Sequence, residues 1–210
     1  RIRTPHAPIS ITSDSDFATQ AASESWPGTG IETDPYIIST LEINGSGYLH
    51  GITISNTRAH FVISDCLVID TNDLHSFPSG YGIFFESLKN GTIKDCQILR
   101  SYRYGIYVWG SKDIHIKDTL VADGPRSWGV YVDYCRNFMI EGCDVQYNEQ
   151  GIRFEETTTG SLRNCTISDH SYNGIELYDS SGLKFDDNLI EDNGVMGIYL
   201  RSYSYDNEFH

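Results

Sequence analysis

The sequence predicts an all-β fold, a right-handed parallel β-helix of about seven coils with a short capping helix at its N-terminal end. Three observations support this prediction. A glycine followed by alternating apolar residues recurs every 22–24 residues, a second apolar column repeats in phase with it, and the repeats contain no apolar stripe with the 3.6-residue period of a helix. A repeat of this length with short strands is typical of coils that stack in parallel.

The first column is a glycine with apolar residues one and three positions later, the alternation of a strand with one buried face. Six copies follow one another, beginning at Gly82, Gly105, Gly129, Gly151, Gly174 and Gly197. An earlier copy begins at Gly51. The longer interval before Gly82 predicts an insertion, rich in turn-forming residues, around Asp73–Ser79.

The second column has an apolar residue, a small residue three positions later and another apolar residue two positions after that. Its copies are Ile63/Cys66/Val68, Ile93/Cys96/Ile98, Ile116/Thr119/Val121, Ile140/Cys143/Val145, Leu162/Cys165/Ile167 and Phe185/Asn188/Ile190, and Ile38/Leu41/Ile43 is an incomplete first copy. Each coil is therefore expected to contain short strands separated by turns that are rich in Asn, Asp, Ser and Gly.

Four cysteines occupy the small position of this column, namely Cys66, Cys96, Cys143 and Cys165. Because the column alternates with apolar residues, we expect a ladder of buried free thiols that fill the turn. Disulfides and a thiolate metal site are the alternatives, and a straight ladder suits neither well. The fifth cysteine, Cys135, lies outside the column in a predicted turn, where it is expected to be exposed.

The two ends of the chain differ from the repeats. Residues Ser13–Trp26 predict one helix, with Asp14 or Ser15 as its cap and a small apolar face that would cover the open end of the stack. We therefore divide the chain into an N-terminal cap segment, residues 1–35, and a β-helix, residues 36–210. An eighth coil begins at Ser202–Phe209 without a visible cap, so we expect the natural chain to continue or a partner to stack end to end on this coil.

Composition excludes two classes of partner. The 29 acidic and 15 basic residues give a net charge of −14 at pH 7. Nucleic acids and anionic membranes both attract basic surfaces, so neither is expected as a partner. No apolar run approaches the roughly 20 residues of a membrane-spanning helix, so we expect no membrane insertion.

The coils, with the segment Trp26–Ile38 that precedes them, resemble pectate-lyase-type parallel β-helix repeats of carbohydrate-binding proteins and sugar hydrolases. The likeness is strongest to archaeal cell-surface proteins and to periplasmic accessory proteins of nitrous-oxide reductase maturation. The resemblance implies a polysaccharide or glycan partner, a binding site on one sheet, and an extracellular or cell-surface location. It leaves the activity open, because such repeats occur in enzymes and in non-enzymatic domains. No cluster of His, Met or Cys supports copper binding.

Large side chains alternate with the buried positions of the glycine column and are therefore expected to face outward. We call this set the aromatic strip. Its candidate ligand-binding residues are Tyr81, Phe84, Glu86, Tyr104, Tyr107, Trp109, Trp128, Tyr131, Tyr178, Tyr199 and Arg201, and its charged members Asp133, Arg153, Glu155 and Glu176 are candidate catalytic residues. Aromatic rings suit the apolar faces of sugars, carboxylates and guanidiniums suit their hydroxyls, and one sugar unit spans about one rung.

Asp133 and Glu155 occupy the same position on neighbouring rungs. Two carboxylates this close repel, so the pKa of one should rise. A separation of roughly 5 Å would also suit the carboxylate pair of a retaining glycosidase. His170, next to Asp169, is a further candidate base. The Asp motifs of polygalacturonases and the Asp-Pro-His pattern of mannuronate epimerases are absent, which lowers the expectation of catalysis.

No cofactor is expected, although Ca²⁺ could bridge the protein to an acidic glycan. A second Ca²⁺ candidate is a column of turn residues, which also fits the ordinary preference of Asp and Asn for turns: Asp65, Asp95, Asp118, Asn164 and Asp187. A modest cationic cluster of Arg100, Arg103 and Arg126 is predicted beside the aromatic strip.

Three functions remain open at this point. The first is a surface module that binds polysaccharide along the aromatic strip. The second is a polysaccharide lyase or glycoside hydrolase that uses the carboxylates of the same face. The third is a structural or adhesive repeat without a ligand, in which stacked rings stabilise the sheet by themselves.

Overall fold

The computed structural model describes residues 2–72, 80–126 and 128–210. It confirms the predicted fold: three parallel sheets, each of eight strands within the described residues, wind into seven complete coils. Each coil contributes one strand to each sheet, so strands that are hydrogen-bonded neighbours lie one coil apart in the sequence. The insertion predicted around Asp73–Ser79 lies outside the described residues.

The strands of the first sheet are β1 (Thr4–His6), β4 (Leu41–Ser46), β7 (Leu67–Asn72), β10 (Gln97–Leu99), β13 (Leu120–Ala122), β16 (Asp144–Gln146), β19 (Thr166–Ser168) and β22 (Leu189–Glu191). The strands of the second sheet are β2 (Ile9–Ile11), β5 (His50–Ser55), β8 (Tyr81–Glu86), β11 (Tyr104–Trp109), β14 (Trp128–Asp133), β17 (Gln150–Glu155), β20 (Ile175–Tyr178) and β23 (Ile198–Arg201). The strands of the third sheet are β3 (Tyr36–Ser39), β6 (Phe61–Ser64), β9 (Gly91–Lys94), β12 (Lys112–Lys117), β15 (Arg136–Glu141), β18 (Thr158–Arg163), β21 (Ser181–Asp186) and β24 (Glu208–Phe209).

The glycine column lies on the second sheet, and its alternating pattern builds the core. In β11, Ile106 and Val108 point inward and are fully buried, as are their counterparts in the neighbouring strands. Burying such a side chain contributes about 1.5–3 kcal/mol to folding, so a stack of coils accumulates stability rung by rung. Strand alternation then places the intervening residues of the column on the outer face.

Each coil turns at three corners, where one residue adopts a left-handed backbone. At the corner between the third and first sheets Thr40 and Gly142 take this conformation in two coils, and the other such residues, all with φ between 46° and 54°, are Asp65, Asp95, Asp118, Asn164 and Asp187. Asp and Asn tolerate this conformation better than other residues with a side chain. The predicted Ca²⁺ column is therefore explained by backbone geometry, and the described residues contain no cluster of three or more His, Cys, Asp or Glu able to hold a metal ion.

At most corners the residue after the left-handed position points inward, and many of these residues accept a hydrogen bond from the neighbouring coil. At the third-to-first-sheet corner, the backbone N–H of Cys143 donates to Cys165 Sγ at 3.4 Å, and the backbone N–H of Cys165 donates to Asn188 Oδ1 at 3.0 Å. The four cysteines of this column are buried free thiols, as predicted. The expectation that Cys135 is exposed is wrong: it is 2% exposed and belongs to an equivalent ladder at the second-to-third-sheet corner, where its N–H faces Thr157 Oγ1 at 3.4 Å.

The predicted helix is α1 (Asp14–Glu24). Its cap is neither Asp14 nor Ser15 but Ser13, whose hydroxyl accepts a hydrogen bond from the backbone N–H of Asp16 at 3.1 Å. Phe17 of this helix is fully buried, and its ring centroid lies 4.7 Å from that of Tyr36 in β3. The helix therefore covers the first coil.

Two short strands ahead of the helix were not predicted. β1 pairs with β4 and β2 pairs with β5, so the segment before α1 already belongs to the first and second sheets. Three-residue strands carry too little alternation to stand out in the sequence.

The last described coil exposes side chains whose counterparts elsewhere are buried. Ile198 and Leu200 of β23 are 37% and 49% exposed, and Phe209 of β24 stacks on Phe185 at 4.6 Å. End-to-end stacking through this surface stays a prediction. No helix within the described residues has the length and apolarity needed to cross a membrane.

Candidate functional site

The aromatic strip lies on the outer face of the second sheet, in three files that run along the axis of the stack. In the first file, Tyr81, Tyr104 and Trp128 are in register. The second file contains Phe84, Tyr107, Tyr131, Arg153, Glu176 and Tyr199. The third file contains Glu86, Trp109, Asp133, Glu155, Tyr178 and Arg201. The structure therefore brings all the residues of the predicted aromatic strip onto one face.

Rings dominate the N-terminal half of the strip and stack mostly on one another. Tyr107 lies between Phe84 and Tyr131, with centroids 5.3 and 5.1 Å apart and planes within 20° of parallel. Tyr81 and Tyr104 of the first file are 5.0 Å apart. Since these faces cover each other, the rings stabilise the sheet and leave mainly their edges for contact with a ligand.

Trp109 differs from the other rings of the strip. It is the strip's most exposed ring, at 37%, and within the described residues it has neither an aromatic nor a cation–π partner. Tyr178 and Tyr199 also lack an aromatic partner, but both lie against the Arg201 guanidinium. Its indole is therefore free to stack against an apolar ligand face, a role that the mutually stacked tyrosines cannot fill.

An ion-pair network occupies the C-terminal half of the strip. Arg153 donates from Nε to Glu155 Oε2 and from Nη1 to Glu176 Oε1, each at 2.9 Å. Arg201 donates to the same oxygen of Glu176 at 3.2 Å, and the Asn173 amide donates to its other oxygen at 3.3 Å. Glu176 is only 3% exposed although it lies on an outer face, because these side chains enclose it.

Arg153 also joins the network to the rings. Its guanidinium carbon lies 5.3–5.7 Å from the ring centroids of Trp128, Tyr131 and Tyr178, within cation–π range. Burial would lower the pKa of Arg153, but neighbouring Tyr131, Glu155 and Glu176 raise it. Arg153 is therefore a permanently charged centre that holds both halves of the strip together.

Asp133 lies between these halves and is 8% exposed. Its Oδ2 accepts a hydrogen bond from the Tyr107 hydroxyl at 3.2 Å, and its buried Oδ1 has no hydrogen-bond partner among the described residues. Burial raises the pKa of Asp133 to about 6, and the negative charge of Glu155 adds to the rise. The sequence predicts that one carboxyl of the Asp133–Glu155 pair has a raised pKa, and in the structure this carboxyl is that of Asp133.

Two tyrosines of the second file donate to these carboxylates. Tyr131 donates to Glu155 Oε2, as Tyr107 does to Asp133. Burial first, and then the neighbouring carboxylates, raise the pKa of both phenols, so they stay protonated hydrogen-bond donors at neutral pH. The strip therefore holds both carboxylates in fixed positions.

Several predicted residues lie elsewhere. His170 is not a surface base: it is 2% exposed, lies at a corner, and its Nδ1 accepts from the backbone N–H of Asn148 at 3.2 Å. Arg100 makes a two-pronged pair with Asp70 at 2.7 and 3.0 Å, so it is not free beside the strip. Arg126 donates to the Tyr102 hydroxyl at 3.1 Å.

Two further residues lie beside the strip and are not among those predicted from the sequence. Asn173, buried next to Glu176, and His50, stacked 4.5 Å from Tyr81, both precede a glycine of the repeat. They occupy the same repeat position as Tyr81, Tyr104 and Trp128, so the period could have identified them. Their residue types did not stand out beside the aromatic side chains.

Comparisons with known proteins agree on the fold. The sequence model of a right-handed beta helix region matches residues 50–210. A search of curated proteins finds no significant match. A mutant of the periplasmic alginate epimerase AlgG superposes with a TM-score of 0.74 and 18% identity, over 82% of this chain and 43% of that one.

Two further solved structures are similar. Tailspike protein 2 from the Escherichia coli O157:H7 bacteriophage CAB120 has a TM-score of 0.62 and 13% identity, over 78% of this chain and 25% of that one. The pectate lyase Pel9A has a TM-score of 0.52 and 14% identity, over 91% of this chain and 55% of that one. The chain thus spans about half or less of the length of these structures, and the likeness concerns the fold. With its three parallel sheets and the family match over residues 50–210, the chain belongs to the right-handed β-helix family.

Proposed function

We propose that this chain binds an extended polysaccharide along the aromatic strip, outside the cell or at its surface. The observation that carries the proposal is Trp109, an exposed indole without a ring partner, flanked in its file by Glu86 and Asp133. A free aromatic face beside carboxylate acceptors suits a sugar, whose apolar face stacks and whose hydroxyls donate. The names of several structural neighbours refer to enzymes that act on polysaccharides, among them an alginate epimerase and a pectate lyase. These names support a polysaccharide as the ligand.

Replacing Trp109 by alanine tests the proposal. We expect affinity for the bound polysaccharide to fall at least tenfold, because truncation of a central aromatic anchor typically costs 2 kcal/mol or more. Affinity electrophoresis against a panel of soluble polysaccharides, followed by calorimetry on those that bind, measures the change.

The matched control is Tyr147→Ala, which removes a ring that is 55% exposed at a corner outside the strip. This variant should bind as the wild type does. An equal loss in both variants, or no binding by the wild type to any glycan, would contradict the proposal and favour the structural repeat.

A second candidate function, glycoside hydrolysis, is favoured by the Asp133–Glu155 pair. Asp133, with its pKa raised to about 6, retains a proton in mildly acidic solution and could donate it to a glycosidic oxygen. As that glycosidic bond breaks, Glu155, held by Tyr131 and Arg153 on the neighbouring rung, could attack the anomeric carbon; water, deprotonated by Asp133, would then hydrolyse the glycosyl–Glu155 ester. Asp133 would thus supply the acid, and Glu155 the nucleophile, of a retaining glycosidase.

If the chain hydrolyses the glycan that it binds, turnover should fall as pH rises through about 6, because Asp133 then loses its proton. Asp133→Asn and Glu155→Gln should each lower kcat by at least a hundredfold, the contribution expected of a positioned acid or nucleophile. Reducing-end release on a bound glycan is the measurement, and Asp186→Asn, on the third sheet, is the control. Unchanged turnover in Glu155→Gln would remove the pair from the mechanism.

A further inference from the structure

The aromatic strip carries more negative than positive charge. Its four carboxylates, on Glu86, Asp133, Glu155 and Glu176, face only two guanidiniums. Both guanidiniums are already engaged: Arg153 by Glu155 and Glu176, and Arg201 by Glu176. Each guanidinium of the strip therefore already has a carboxylate partner, and a ligand carboxylate would compete with that partner for the positive charge.

The two remaining carboxylates flank the proposed sugar platform. Glu86 and Asp133 occupy the rungs on either side of Trp109, in the same file. Within the described residues Glu86 has no ion pair, and the buried Oδ1 of Asp133 has no hydrogen-bond partner. Both groups accept hydrogen bonds from hydroxyls and repel other carboxylates when ionised.

None of the three arginines that the sequence predicts beside the strip belongs to the file of Trp109. Arg100 is paired with Asp70, whereas Arg126 is exposed at a corner, donates to the neutral Tyr102 hydroxyl and keeps its charge. Arg103 lies beside the strip, with its guanidinium carbon 5.2 Å from the Tyr104 ring centroid. Arg103 and Arg126 keep their charge, but neither lies in the file of Trp109, where both neighbouring residues are carboxylates, and the protein as a whole has a net charge of −14.

We infer that the strip takes a neutral polysaccharide and rejects acidic ones, an inference that rests on the proposed function. A uronic acid unit stacked on Trp109 would bring its carboxylate beside Glu86 or Asp133, with no free cation within the strip to receive it. A neutral sugar at the same place offers hydroxyls, which those carboxylates bind well. A preference for neutral polysaccharide would distinguish this chain from the structural neighbours whose names refer to alginate and pectate.

Polymers that share a backbone and differ in charge test this inference. Suitable pairs are polygalacturonate with its highly methyl-esterified form, alginate with its propylene glycol ester, and carboxymethyl cellulose with hydroxyethyl cellulose; laminarin, galactomannan and xylan extend the neutral set. We expect binding within the neutral set, at least tenfold weaker binding of each acidic partner at low salt and pH 7.5, and no rescue of the acidic polymers by CaCl₂.

The double variant Glu86→Gln with Asp133→Asn asks whether these two charges cause the discrimination. It should raise the ratio of acidic to neutral affinity at least fivefold, whereas Glu42→Gln with Asp144→Asn, on exposed residues of the first sheet, should leave the ratio unchanged.

Three results would overturn the inference. They are an acidic polymer that binds as tightly as its neutral partner, acidic binding that appears on addition of CaCl₂, or an unchanged ratio in the strip double variant. Any of these leaves the proposed function standing, since polysaccharide would still bind. Failure of every polymer to bind would overturn the proposed function, and this inference with it.

Discussion

Gly151→Ala should destabilise the protein by about 3 kcal/mol, a large loss for a change of one methyl group. A Cβ atom at this position would lie 2.1 Å from the carbonyl oxygen of Gly174 on the next coil and 2.8 Å from the buried ring of His170. Neither neighbour can retreat, since the first is backbone in a parallel ladder and the second is packed at a corner. The expected shift of the urea midpoint, followed by circular dichroism, gives the loss.

Gly197→Ala is the matched control, because it lies in the same glycine column on the last described coil. There a Cβ atom would meet only Ile190 Cγ2, at 3.5 Å, which is ordinary contact. Both substitutions change the unfolded chain equally, so the difference between them isolates the clash. We expect Gly197→Ala to be neutral or slightly stabilising. Equal midpoints for the two variants would show that the coils do not approach as closely as the structure has them.

Arg153→Ala should cost about 3 kcal/mol or more, because it leaves a buried carboxylate without its main partner. Glu176 is 3% exposed, and without Arg153 only Arg201 and the Asn173 amide would remain to stabilise its charge. Tyr131 and Tyr178 would lose a cation–π contact at the same time. Urea denaturation near pH 7 measures the loss, and Glu176→Gln in the same background should recover part of it.

Arg163→Ala is the control for this prediction. Arg163 pairs with Glu141 at 3.1 Å on the third sheet, but its side chain is 43% exposed, and Glu141 also contacts Lys117 and His115. An exposed pair of this kind typically contributes less than about 1 kcal/mol. Losses of the same size in both variants would contradict the view that the strip contains a buried ionic centre.

These two predictions bear on function as well as on stability. A strip whose charged half is held by buried ion pairs is rigid before any ligand arrives. Little side-chain entropy would then be lost on binding, so a modest number of contacts to a sugar could suffice. Such preorganisation is also what a pair of catalytic carboxylates requires.

The period of the sequence was sufficient to predict much of this molecule. Because a coil closes on itself every 22–24 residues, equivalent positions in successive repeats stack, and side-chain direction then follows from strand alternation. The outward placement of Trp109 and Arg153 and the thiol ladder from Cys66 to Cys165 both follow from that rule. The same rule places Asp133 beside Glu155.

The burial of side chains at the corners does not follow from the period. The sequence predicts an exposed Cys135, because turns are usually solvated, and a candidate base at His170, yet both side chains are buried. Each follows a left-handed residue, Tyr134 or Asp169, and that backbone conformation turns the next side chain inward. Tyr134 is an unusual residue for a positive φ, so the sequence contained no clear mark of the turn.

The architecture and the face that carries the strip follow from the sequence alone, since both depend on local alternation repeated at a fixed period. The burial, charge and pairing of each group on that face follow from contacts that the repeat does not specify. The burial of Glu176, the raised pKa of Asp133 and the free ring of Trp109 depend on side chains one coil or more away. Burial and charge act through space rather than along the chain, so the contacts between coils, and not the repeat itself, set the chemistry of the strip.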